Sequence, residues 1–175
     1  SILASAALMC CTPAKLVFAY DHKCGATGAK GTVVVKVFTE VNKAQEAIDV
    51  SGRMAVHAVL FKGLVCTDGS SQSTSKMAKF NYEEKPEFFE NFFASGKFKE
   101  FVLNTNSVIN SEDRIKQPNG KLKIGVSVQI AYENLKKYMD LYEKTNEELT
   151  KEVLITKSLR KEIETLKNKK DIYGE

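Results

Sequence analysis

Residues 121–132 read KLKIGVSVQIAY, and this stretch decides the fold class. Leu122, Ile124, Val126, Val128 and Ile130 alternate with Lys121, Lys123, Gly125, Ser127 and Gln129. A period of two puts one set of side chains on a buried face and the other in water, as in a strand of a sheet covered on one side. Pro118-Asn119-Gly120 is the turn that leads into it.

Upstream, Phe98–Asn104 (FKEFVLN) reads as another strand, separated from the first by a polar loop. Before it, Pro86 suits the first turn of a helix, where its missing N–H would have no partner anyway. Phe88, Phe89, Phe92 and Phe93 then cover one broad apolar helix face, which reads as core, and Gly96 ends the segment. Thr67 to Ala78 is rich in Ser, Gly, Thr and Gln without periodicity and reads as a mobile surface loop. In NKAQEAIDVSGRMAVHAVLFKG, Asn42 is placed to cap a helix and Gly63 to stop it. Ala44, Ala47, Ile48, Ser51, Ala55, Ala58 and Val59 recur at helical spacing, small enough for close packing on a sheet. Thr32–Val41 (TVVVKVFTEV) is dense in β-branched residues and reads as a strand. The fold expected is α+β: a small antiparallel or mixed sheet with two packed helices spanning 32–131, then a long C-terminal helix. Gly25, Gly28 and Gly31 mark 20–31 as a flexible lead into it.

The segment 132–175 forms a helical arm, because Tyr132 to Asn168 contains no Pro or Gly and is dense in Glu, Lys and Leu. Leu135, Met139, Tyr142, Asn146, Leu149, Val153 and Thr156 follow a 4-3 spacing. Leu159, Ile163 and Leu166 resume it after one step of three, which breaks the register once. Glu133/Lys137, Asp140/Lys144 and Glu147/Lys151 are i,i+4 pairs in the favoured order. This stripe is a candidate coiled-coil seam for self-association or for a protein partner. The plain alternative is a charged single helix lying on its own domain.

The N-terminal SILASAALMCC is uncharged and has the length of a secretory apolar region, too short to span a bilayer. Val17-Phe18-Ala19 then offers small residues at −3 and −1, so 1–19 reads as a truncated signal peptide whose cleavage leaves Tyr20 first. A second export route makes Cys10 or Cys11 a lipidated residue, with Met9 an awkwardly bulky neighbour, and membrane association would require that route. A third reading makes the stretch a core strand or helix. Export implies a periplasmic or secreted protein. Cys24 and Cys66 would then either form a disulfide or remain two separate thiols.

The formal net charge of +4 comes from lysines dispersed among acids, not from a basic stripe, which argues against nucleic acid. Gly25 to Thr32 (GATGAKGT) has the composition of a phosphate loop in the wrong order, leading into a strand instead of out of one. Asp21, His22 and Cys24 are too crowded for a zinc set. His57, among small apolar helix residues, has no Ser or Cys in a nucleophile context. Glu83, Glu84, Glu87 and Glu90 suit the start of a helix. No catalytic, cofactor or metal residue is therefore assigned. The functional expectation is a non-enzymatic envelope protein that binds or assembles. The competing class is a small-ligand or hydrolytic periplasmic domain with a site near the 67–78 loop, marked by an apolar pocket holding His57 beside a carboxylate.

The order of elements, the AVHAVLFKGL helix end, the paired Phe residues and GKLKIGVSVQIAYENLKKY together resemble small exported proteins of Bacteroidetes. These are loosely similar to the α+β envelope domains of the curli-secretion lipoprotein and the penicillin-binding-protein activator class. The resemblance covers about Thr32 to Tyr138 and rests on packing motifs, so it implies fold and compartment more than activity. The family pattern stops soon after the last helix begins, whereas this chain continues.

Overall fold

The computed structural model describes residues 16–67 and 73–173. In chain order the elements are β1 (Asp21–Cys24), β2 (Val33–Val41), α1 (Ala44–Phe61), α2 (Pro86–Ala94), β3 (Val102–Thr105), β4 (Arg114–Lys116), β5 (Leu122–Ile130) and α3 (Tyr132–Tyr173). The fold is α+β. The alternating stretch quoted above is its central strand, and every pairing in the sheet is antiparallel. β2 runs along the whole of β5, from Val33 opposite Ile130 to Val41 opposite Leu122. The other edge of β5 is shared, with β3 at its C-terminal end and β4 at its N-terminal end. β1 closes the far side against β2.

The buried face follows from the sequence pattern. Val33, Val35 and Val37 of β2 and Ile124, Val126, Val128 and Ile130 of β5 all lie in the core, under Ala47, Ser51, Ala55 and Ala58 of α1. Small side chains on that helix stripe let its backbone come close to the sheet. Gly63, at φ 73°, ends the helix in the left-handed conformation and donates its N–H to Ala58 O. Phe89, Phe92 and Phe93 of α2 are buried, as their spacing requires.

Four local expectations are corrected. Residues 20–31 are not a free lead, because Asp21–Cys24 pairs with Phe38–Val35 as an edge strand, a run too short to show a period of two in sequence. Phe98 does not open a strand. Gly96 turns the chain at φ 80°, Lys97–Phe101 forms a 3-10 turn that brings Phe98 and Phe101 to one side, and the sheet resumes only at Val102. Asn42 is not the cap of α1; its own N–H is taken by the Glu46 carboxylate at 3.1 Å, and Lys43 stands at the cap position. Finally, the second face of β5 is not uniformly wet: Gly125 is buried beneath Phe38 and Asp113, and Asp113 pairs with Lys36 at 2.7 Å.

Candidate interaction surface

The 42-residue helix α3 has two halves with different fates. In the first, Leu135 (0 % exposed) and Met139 (1 %) are buried in the core of the domain. The Tyr142 ring stacks on Phe88 with centroids 3.5 Å apart. Leu135 and Met139 are therefore core residues of the domain and not part of an intermolecular seam, which corrects the sequence reading, while the half-buried Tyr142 stands at the point where the intramolecular dock ends. Glu143 secures it. Its carboxylate is 2 % exposed, accepts the Lys79 backbone N–H at 3.0 Å and pairs with the Lys79 ammonium at 2.9 Å. That ion pair holds the Lys79 ammonium in its charged form above the usual lysine range. The last link is Lys85 Nζ donating to Asn146 Oδ1 at 3.4 Å.

From Glu147 to Asn168 every side chain is exposed. Leu149 (57 % exposed), Val153, Leu159, Ile163 and Leu166, the remaining seam residues, all face solvent. The stripe Leu135, Met139, Tyr142, Asn146, Leu149, Val153 keeps its 4-3 spacing across the junction, so the exposed apolar edge continues the face that is docked higher up. At the junction lies an open groove of about 610 Å³, lined by Glu84, Lys85, Glu87, Phe88, Tyr142 and Asn146. Glu84 is fixed there by a reciprocal cap with Asn81. Sequence reasoning missed this groove because α2 and α3 are far apart in the chain.

The other concentration of functional side chains surrounds His57. Phe18 stacks on its ring at 4.0 Å, and Tyr20, Phe61, Tyr82 and Phe93 complete an aromatic cage. The Tyr20 hydroxyl and Nδ1 of His57 share a hydrogen bond at 2.7 Å. Burial, with the Lys62 ammonium nearby, pushes the His57 imidazole down to about 4, and burial pushes the Tyr20 hydroxyl up. The carboxylate that a base would need is not what His57 meets: its hydrogen bond among the described residues goes to Tyr20. This arrangement is a packed histidine in an aromatic cluster. Phe18 belongs to that cluster, so cleavage after Ala19 would remove its ring from the domain.

Cys24 on β1 and Cys66 after α1 are brought together as a disulfide, with Cα atoms 5.3 Å apart. His22 Nε2 donates to Gly63 O at 2.9 Å beside it. The 67–78 loop is held at its base: Leu64 and Thr74 form a bridge, Cys66 N–H reaches Ser73 Oγ, and Met77 and Ala78 N–H bond back to α1. Its tip, and the residues Cys10 and Cys11, lie outside the described residues. Among the described residues no group of three acidic, His or Cys side chains could hold a metal, and no helix is long and apolar enough to cross a membrane. No family model, curated protein or solved structure matches the chain.

Proposed function

We propose that this protein is a non-enzymatic, exported cell-envelope module that binds or assembles through the outer half of α3. The observation that carries the reading is the exposed apolar stripe from Leu149 to Leu166 on a helix whose first half is anchored in the core. A helix turned wholly to water gains nothing from exposing Leu149, Val153, Leu159, Ile163 and Leu166, whereas a helical partner covers them. The Cys24–Cys66 disulfide supports an oxidising compartment, periplasmic or secreted. The apolar residues before Lys15 support export, either by cleavage near Tyr20 or by lipidation at Cys10 or Cys11.

The test compares the full chain with one truncated after Asn146, beyond which every side chain as far as Asn168 is exposed. The full chain is expected to sediment as an oligomer or to take up a partner from envelope membranes, and the truncated chain to do neither. Identical behaviour of the two chains in both measurements overturns the reading.

A further inference from the structure

We infer that the outer half of α3 pairs with the same segment of a second copy of this chain, antiparallel, so that each arm ends at the groove beside the other copy's α2. The inference rests on the assembly reading above and specifies its partner and geometry.

Two observations select this arrangement. The first is the shared face: Leu149 and Val153 continue the stripe on which Leu135 and Met139 are buried against the domain. A parallel, in-register partner lying on Leu149 and Val153 would have to run its own residues 132–146 into the space that the first domain fills. An antiparallel partner approaches from the open end and stops at the domain. It also gives a closed two-fold pair, in which the same patch is used twice.

The second observation is charge. Residues 147–152 carry three carboxylates and one ammonium, whereas 157–167 carry four cations and two carboxylates. Antiparallel pairing lays the acidic half of each arm on the basic half of the other. Centred between Lys157 and Ser158, it sets Leu149 beside Leu166, Glu148 beside Lys167 and Lys151 beside Glu164 of the second copy. With this centre the partner helix runs past the groove at positions 169–173, where the lining includes Glu84 and Glu87 and Lys85 is held by Asn146 and the Phe80 ring. The paired span from Leu149 to Leu166 is about 26 Å long at 1.5 Å per residue.

The experiment uses the full chain with Cys10→Ser and Cys11→Ser, carrying either Leu149→Cys or Leu166→Cys, under mild oxidation. The expected result is a band of twice the chain mass when the two variants are mixed, and none from either alone. Sedimentation of the wild type is run beside it. A dimer that cross-links in the single variants is parallel and overturns this inference while leaving self-association intact, and a dimer that cross-links in no sample overturns it equally. A wild type that stays monomeric at high micromolar concentration overturns the second-copy partner; uptake of an envelope partner by that monomer then preserves the broader reading.

Discussion

Gly125 occupies the middle of β5 with its missing side chain turned toward Phe38 and Asp113. A Cβ there would stand 2.6 Å from the Phe38 ring and 3.0 Å from the Asp113 carboxylate, whose place is set by Lys36. Gly125→Ala is therefore expected to lower stability by about 1–3 kcal/mol, as overpacking does, measured by urea denaturation. A neutral outcome would mean that the Lys36–Asp113 pair moves without cost. His57 offers a second check at this scale. Its folded value near 4 lies below the ordinary 6.5, so the unfolded chain binds the proton more readily. The contribution is present above pH 6.5 and is lost as pH falls through about 4. Stability should decline across that window, and His57→Gln should flatten the decline; equal slopes for the two proteins would show that another group titrates. Neither the roof over Gly125 nor the aromatic cage was legible in sequence, because both join residues that are distant in the chain.

Among the elements, α3 is docked by Leu135, Met139 and the Tyr142–Phe88 stack and, in addition, by one buried carboxylate. Glu143 accepts a backbone N–H from the segment that follows the 67–78 loop, linking helix and loop across 64 positions of sequence. Glu143→Ala leaves the Lys79 N–H without that acceptor and should cost roughly 1.5–3 kcal/mol, the range for a hydrogen bond to a charged group. Thermal unfolding read by circular dichroism gives the value, and an unchanged midpoint would remove Glu143 from the dock. The long elements were legible: β5, α1, α2 and α3 through their repeated period, and β2 through its density of β-branched residues. β1 and β4 were not, since a strand of three or four residues is defined by the neighbour it pairs with.

At the scale of the whole molecule, the domain and the outer arm should respond separately to substitution. Leu149→Lys with Val153→Lys places like charges on the exposed stripe and removes apolar burial worth roughly 1.5–3 kcal/mol for each side chain that association covers. Because both residues are exposed in the single chain, the melting profile of the domain should be unchanged while sedimentation shifts to a smaller species. A collapse of the domain itself would mean that these residues support it. By itself, the sequence determined the α+β class, the central strand with its buried face, the small-residue face of α1 and the long helix, because each is written in local periodicity and turn chemistry. Only the tertiary structure decided where the 4-3 stripe of α3 stops being core. Leu135 and Leu149 are the same residue type on the same stripe, and what separates them is whether the core of the domain lies opposite. Burial is a property of the neighbours that folding supplies, so periodicity can mark an apolar face without saying what covers it.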